Sequence, residues 1–407
     1  MNNLDQLREI EKELQKCVRC GKCRSFCPTL PVQVSSYSFL DQQNINDRNI
    51  PGWDTRTPRG RVNIALGLSQ NKIKPNKLLS EIFFNCLFCA YCVNSCPSGV
   101  DVNHIIEKTR NYLLENGYGP LPIITLLETL EDSKNIFGLD QDDRTAWTEF
   151  NVEEIYEERI NKPAEYAFFV GCQGSFKGSL AMISEGISLI LDKFGFDFTI
   201  LGEDEWCCGN PFNLLGIEDE RFTSFAKHNV EKLKELKIKT VITTCPGCFR
   251  IFSKIYPKYL GELPFKVLHS SQFLADLIKT KEIQIENSNS IKIGFQDPCE
   301  LGRHCGVFEE PRDVIKSISG SKLIELPNNR LESHCCGGGG LARAIDSNLT
   351  SNIAASKINE FIREGIEMIV TGCQACYENL TEGKEKLGEK VEIRDLNDLI
   401  ADLLDLN

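Results

Sequence analysis

The chain has 407 residues, 19 of them cysteine, with 41% hydrophobic and 26% charged residues. That balance belongs to globular rather than disordered chains, and at roughly 100–200 residues per domain the length predicts two to four domains. A formal net charge of −12 argues against nucleic acid or an anionic lipid surface as the main partner, since both ask for a basic face. The most apolar stretch, Leu121 to Leu130, is interrupted by Glu128 and falls short of the roughly 18 apolar residues that span a membrane. Met1 to Cys17 is charged and helical in pattern, without the apolar run and small-residue cleavage site of a secretory signal. The expected compartment is therefore cytoplasmic and reducing, where dense cysteine means metal or redox chemistry rather than disulfides.

In chain order, the first cysteine group is Cys17, Cys20, Cys23 and Cys27, followed by Pro28. The second is Cys86, Cys89, Cys92 and Cys96, followed by Pro97. Both have the spacing of the bacterial ferredoxin run for 4Fe–4S clusters, in which the fourth cysteine serves the other cluster. Cys17, Cys20, Cys23 and Cys96 are thus the expected ligands of one cluster, and Cys86, Cys89, Cys92 and Cys27 of the second. Zinc is the alternative for sets of four thiolates, and two copies of this run weigh against it. The 58-residue insert between the runs contains Thr57-Pro58-Arg59-Gly60-Arg61-Val62. Its proline predicts a helix start, and its arginines are equally suited to hydrogen-bond cluster sulfurs or a partner.

The segment from Gly119 to Lys162 is acidic, contains Trp147 and lacks cysteine; a packed linker is expected there in preference to a docking surface. Beyond it a five-cysteine pattern occurs twice. Cys172, Cys207, Cys208, Cys245 and Cys248 are followed by Cys299, Cys335, Cys336, Cys373 and Cys376, offset by 127 residues for the first cysteine and by 128 for the other four. A constellation recurring at one period is an internal duplication. In each copy apolar runs lead into cysteines: Tyr166 to Val170, Val241 to Thr244, Ile291 to Phe295 and Met368 to Thr371. Helix-like runs, Gly178 to Phe194 and Leu341 to Arg363, alternate with them. The alternation predicts α/β domains with a mostly parallel sheet, whose ligands gather beyond the carboxyl ends of the strands. Gly209, and Gly337 and Gly338 in the run to Gly340, follow the paired cysteines; without a Cβ they let backbone amides approach sulfur. No dinucleotide or P-loop fingerprint accompanies them, so neither flavin nor nicotinamide is expected in this chain.

The duplicated C…CCG…CxxC pattern resembles the cysteine-rich "CCG" domain of heterodisulfide reductases. Two ferredoxin runs followed by two such domains is similar, over nearly the whole chain, to the catalytic D subunit of the membrane-associated enzyme of methanogens. Iron–sulfur subunits of glycolate oxidase, lactate-utilisation systems and anaerobic glycerol-3-phosphate dehydrogenase share the order. Thr57 to Val62 and Cys96-Pro97-Ser98-Gly99-Val100 look closer to the glycolate-oxidase branch; the intact Cys245-Pro246-Gly247-Cys248, Cys373-Gln374-Ala375-Cys376 and Cys335-Cys336-Gly337-Gly338-Gly339 look closer to the reductase branch. The resemblance implies a small α-helical ferredoxin-like domain at 1–120, a linker at 121–164, and two Rossmann-like domains at 165–288 and 289–407. It also implies four 4Fe–4S clusters: two cubanes on the ferredoxin runs and one noncubane cluster on each five-cysteine set. A disulfide would lie between the noncubane pair, take one electron from each, and leave each product thiolate transiently on iron.

Glu300 stands where the family often has His, which bears on proton supply. His304 and His334 flank the second site and are candidate proton donors, because histidine titrates near neutrality; a structural hydrogen-bonding role is the alternative for each. Cys305 has no counterpart in the first repeat and is expected to be a small buried residue rather than a ligand. Two functions follow. One is a subunit reducing a small-molecule disulfide, of which the coenzyme M–coenzyme B heterodisulfide is the family example. The other is an electron-transfer subunit of a flavin-dependent glycolate, lactate or glycerol-3-phosphate dehydrogenase, drained by a quinone-like acceptor. Either needs partners: a flavoprotein, a cytochrome b-like membrane subunit or a ferredoxin-linked complex.

Overall fold

The computed structural model describes residues 5–30, 54–149, 151–281, 285–286 and 291–406. Residues 31–53 of the insert and the expected boundary at 288/289 lie outside the described residues. The N-terminal part is helical. Helix Pro58–Ser69 starts where the proline predicts, with the Thr57 hydroxyl accepting from the Gly60 N–H at 3.2 Å. Gly60 is required by contact, since a Cβ there would lie 1.9 Å from the Asp54 carbonyl. Helices Lys77–Phe84 and Val102–Glu115 are capped by Asn76 and Asp101, an ordinary use of side-chain oxygens on the free N–H groups of a first turn.

Each repeat forms a four-stranded parallel sheet. In the first, β1 is Tyr166–Phe168, β2 Phe198–Thr199, β3 Thr240–Thr243 and β4 Lys266–His269; the spatial order is β2-β1-β3-β4. In the second, β5 is Ile291–Phe295, β6 Ser321–Ile324, β7 Met368–Thr371 and β8 Glu392–Asp395, ordered β6-β5-β7-β8. The duplication read from the cysteines is therefore a duplication of topology. In both sheets the direction of winding reverses between the two central strands, which is where open α/β sheets place ligands. The helix expected from Leu341 to Arg363 is two helices, Ala342–Ile345 and Ser347–Arg363. Asp346 divides them: its side chain accepts from the Leu349 N–H at 2.8 Å and caps the longer one.

The units share their cores. Leu7, Val62, Phe83 and Ile105 of the N-terminal helices belong to one buried cluster with Leu201, Phe212, Phe225 and Ile251 of the first repeat. A second cluster joins Trp147, Phe168, Ile187 and Ile242 to Ile293, Val314, Val370 and Leu399 of the second repeat. The acidic segment expected as a linker is folded as helix Leu121–Ser133, a 3₁₀ stretch Gln141–Glu149 and helix Glu153–Tyr156. Trp147 packs edge-on against Tyr156 and Phe168, with centroids 5.5 and 6.2 Å apart. Among the described residues no helix is long and apolar enough to cross a membrane.

Candidate functional site

The end of each central strand delivers cysteines. Cys172 lies just beyond β1 in helix Gly171–Phe176, and Cys245 ends the β3 turn as the N-cap of helix Pro246–Arg250. Cys373 holds the corresponding place after β7, where its sulfur accepts from the Cys376 N–H at 3.4 Å and caps helix Gln374–Leu387. The paired cysteines come in on the loops that follow β2 and β6.

The thiols of the first repeat touch in a continuous series: Cys172 to Cys207, Cys207 to Cys208, Cys208 to Cys248, and Cys248 to Cys245. The second repeat makes the same series: Cys299, Cys335, Cys336, Cys376 and Cys373. There the Cys336 and Cys376 sulfurs are 3.1 Å apart. The middle thiol of each series is shifted down, as is Cys245 at the end of the first, through its bond with Cys248. Hydrogen bonding from Cys207 and Cys248 pulls Cys208 down to about 6, and bonding from Cys335 and Cys376 holds Cys336 well below the usual thiol range. Those same bonds and burial push Cys248 and Cys376 up. Backbone amides point at sulfur as well: Gly209 N–H at Cys207 (3.5 Å), Gly337 N–H at Cys335 and Gly338 N–H at Cys336 (3.4 Å each). The glycines also meet neighbouring backbone. A Cβ on Gly338 would be 2.5 Å from the Ala375 carbonyl, and one on Gly340 2.5 Å from the Cys86 carbonyl.

In the ferredoxin region Cys27 of the first run lies with the second run. One cavity is lined by Cys27, Cys86, Cys89 and Cys92, with Cys23, Arg61 and Asn103 on its wall. Cys96 of the second run neighbours Cys23, as do Cys17 and Cys27. Cys20 is exposed. The Pro-Arg-Gly-Arg segment does two jobs: besides starting its helix, it points the Arg59 backbone N–H at Cys23 and buries Arg61 beside Cys27. Arg61 donates to the Ile82 carbonyl at 2.8 Å. The second run abuts the second repeat, where Cys89 hydrogen-bonds to Cys335 and is pulled down to about 6 by it.

Several supporting residues carry no sequence signal. Glu205 accepts from Val170 N–H and Gly171 N–H at 2.9 Å each and from Arg144 at 2.8 Å, holding the Cys172 turn. Asn229 donates to the Cys207 carbonyl, and Tyr256 to that of Cys208 at 2.9 Å. Asn379 does the same for Cys336 at 2.6 Å. Asn229 and Asn379 stand on different helices of their repeats, so the 128-residue period does not relate them.

The two thiol series face each other, with Cys245 close enough to Cys373 to affect its ionisation. Gln374 donates to the Thr244 hydroxyl at 3.1 Å across this junction. Beside it, the fully buried His269 takes the Ser271 N–H on Nδ1 and directs Nε2–H at the carbonyls of Thr244 and Gly372. Burial pushes His269 down to about 4, below the ordinary 6.5. A depressed histidine contributes stability that is present above its unfolded pKa and is lost as pH falls through the folded one. The wild-type chain is therefore expected to lose stability between about pH 6.5 and pH 4, and His269→Gln to lose less over that window. Urea titrations at several pH values check this.

His304 stacks on Phe88 at 5.5 Å and donates Nε2–H to the Phe88 carbonyl at 2.9 Å; burial pushes it down to about 3. That arrangement uses it as a docking hydrogen-bond donor between the ferredoxin region and the second repeat. His334 bonds Glu360 at 2.5 Å and lines a cavity with Phe26, Cys335 and Lys357. Glu300 pairs with Arg250 at 3.4 Å, next to Cys245. Cys305 packs with Phe249, Leu301 and Val307, apart from the thiol series.

Among the described residues no three His, Cys, Asp or Glu side chains are arranged around a single point as for one metal ion; the thiols come as series. Ten such thiols at the switch points of two sheets, beside two ferredoxin-type runs, define an iron–sulfur redox protein. Comparison with known proteins agrees. The family described as "4Fe-4S dicluster domain" matches residues 13–100, and the family described as "Cysteine-rich domain" matches 166–253 and 293–381. The chain is 33% identical to the D subunit of the dihydromethanophenazine:CoB–CoM heterodisulfide reductase of Methanosarcina acetivorans, covering 97% of this chain and 95% of that protein. It is 32% identical to the protein of the same name in Methanosarcina barkeri, with the same coverage. "EtfAB:quinone oxidoreductase" of Syntrophomonas wolfei is 26% identical over 91% of this chain and 55% of that protein. The chain belongs to the iron–sulfur oxidoreductase family of the heterodisulfide reductase D subunits.

Proposed function

We propose that this chain reduces a small-molecule disulfide between its two five-cysteine sites, with electrons supplied through its ferredoxin runs. Cys17, Cys20, Cys23 and Cys96 hold one cubane 4Fe–4S cluster and Cys27, Cys86, Cys89 and Cys92 the other. The two five-cysteine sets each hold a noncubane 4Fe–4S cluster. The donor sets fit: all are thiols, and the five-cysteine sets are joined sulfur to sulfur with amide N–H groups aimed at them. Iron–sulfur groups supply electrons singly and offer a soft site for thiolate. The reaction is RSSR′ + 2 e⁻ + 2 H⁺ → RSH + R′SH. It needs two electrons, and the carrying observation is that both five-cysteine series are complete and face each other at Cys245 and Cys373. The chain's own contribution is to hold the sites opposed through Gln374, His269 and the Arg250–Glu300 pair. The electrons come from a flavoprotein, a cytochrome b-like membrane protein or a ferredoxin-linked complex.

The experiment is spectroscopic. Oxidising the iron-loaded protein in the presence of coenzyme M is expected to give a new paramagnetic signal from a thiol-bound site. Iron is expected near about sixteen per chain, about four for each cluster. No change with any thiol, together with rapid reduction by a 2-hydroxyacid dehydrogenase, would instead support a relay role feeding a quinone-like acceptor. The similarity to a quinone oxidoreductase over 91% of the chain favours that second reading.

A further inference from the structure

The two five-cysteine sites have the same topology but not the same electrostatics. At the first, Arg144 lies 3.8 Å from the Cys172 sulfur and is paired with the buried Glu205 at 2.8 Å. Cation and carboxylate there offset each other. At the second, the cation is Arg303. Its Nε donates to the Cys89 carbonyl at 2.5 Å, and Nη1 donates to the carbonyls of Ser333 at 2.6 Å and Leu331 at 3.4 Å. The guanidinium lies 5.7 Å from the Tyr91 ring centroid. Among the described residues it has no carboxylate at ion-pair distance; the ionisable groups that act on it are the thiols of Cys89, Cys299 and Cys335 and, more weakly, Asp297. The matching position of the first repeat, 127 residues earlier, is Phe176.

Arg303 also has a mechanical role. One residue touches the second ferredoxin run through Cys89 and Tyr91 and the second repeat through Leu331 and Ser333, and it does so where the Cys89 and Cys335 thiols meet. An arginine is always charged and its planar fork suits several carbonyls at once. A fixed cation favours an added electron nearby, and the potential of an iron–sulfur site follows its net charge and hydrogen bonds.

We infer that Arg303 is a positioning residue that clamps the second ferredoxin run to the second repeat and holds that repeat's five-cysteine site at a higher reduction potential than the first. The inference rests on the cluster reading above. The test is a redox titration of the iron-loaded chain followed by electron paramagnetic resonance, with Cys336→Ala used to assign the second site's signal. Arg303→Met is expected to lower the reduction equilibrium of the second site at least tenfold, which is about 59 mV for a one-electron couple, and to leave the first site's signal in place. Arg303→Lys is expected to restore most of that shift. Arg303→Gln replaces Arg303→Met if the latter is not folded. Both potentials unmoved, or both moved equally, would overturn the inference.

A second readout needs no iron. Oxidation of the iron-free chain by a small-molecule disulfide, itself reduced to two thiols, is expected to cross-link Cys89 to Cys335, detected by mass spectrometry of the peptides. Arg303→Met should cut the yield several-fold; an unchanged yield would overturn the clamp. If the wild-type chain takes up no iron on reconstitution, the cluster reading fails by itself, and the cross-link still decides the clamp.

Discussion

A Cys336→Ala chain is expected to lose disulfide reduction completely while still assembling the clusters of its ferredoxin runs. Cys336 is the middle of its thiol series, bonded to both Cys335 and Cys376 and facing the Gly338 N–H. Its removal breaks the series into Cys299–Cys335 and Cys373–Cys376, neither of which keeps the other's contact. Iron is expected to fall by about four per chain, with the ferredoxin-run signals unchanged. Cys208→Ala is expected to do the same at the first repeat. Iron analysis, low-temperature paramagnetic resonance and an assay with a chemical electron donor check the three parts separately. Activity retained in either variant would remove the need for two sites and overturn the two-site mechanism.

The second large effect is on stability. Arg110 is fully buried and donates to the carbonyls of Phe83 (3.2 Å), Phe84 (3.3 Å), Cys86 (2.7 Å) and Leu214 (3.1 Å). Phe83 and Phe84 end helix Lys77–Phe84, and Leu214 ends helix Asn210–Leu214. One guanidinium thus serves the terminal carbonyls of two helix ends, where a positive charge is also favoured by the helix dipole. It ties the start of the second ferredoxin run to the first repeat. Arg110→Met keeps much of the volume but strands three buried acceptors, the carbonyls of Phe84, Cys86 and Leu214, while that of Phe83 still accepts from the Cys86 N–H. Each buried unsatisfied group costs about 1–3 kcal/mol; with partial relaxation the loss is expected at about 3–5 kcal/mol, read from denaturant midpoints. A loss under about 1 kcal/mol would show that these carbonyls find other partners.

Much of the fold was legible because its signals are local. The apolar runs Tyr166 to Val170 and Met368 to Thr371 cover β1 and β7, since a buried central strand is apolar on both faces. The edge strands were not legible: β2 is only Phe198–Thr199, and β8 reads Glu-Ile-Arg-Asp. Strands so short or so polar are made by pairing with a neighbour, which no window of sequence contains. Asp346 is a different miss: its cap on the Leu349 N–H is a local signal, overridden in the reading by the apolar periodicity that runs through it.

The sequence by itself determined the cysteine inventory and its grouping, because ligand spacing within a loop and a period between repeats are properties of the chain. It determined the parallel α/β character of the repeats for the same reason. Only the tertiary structure decided which groups neighbour which across the domains: Cys89 against Cys335 and Cys245 facing Cys373. It also decided which charges attend them. Glu205, Arg144, Arg303, Arg110 and His269 have no spacing rule to betray them, since a buried ion or histidine is selected by the partners that folding brings to it. Cys305, the one cysteine outside the four groups, packs with Phe249 of the first repeat and Leu301 and Val307 of the second and is partly exposed rather than buried.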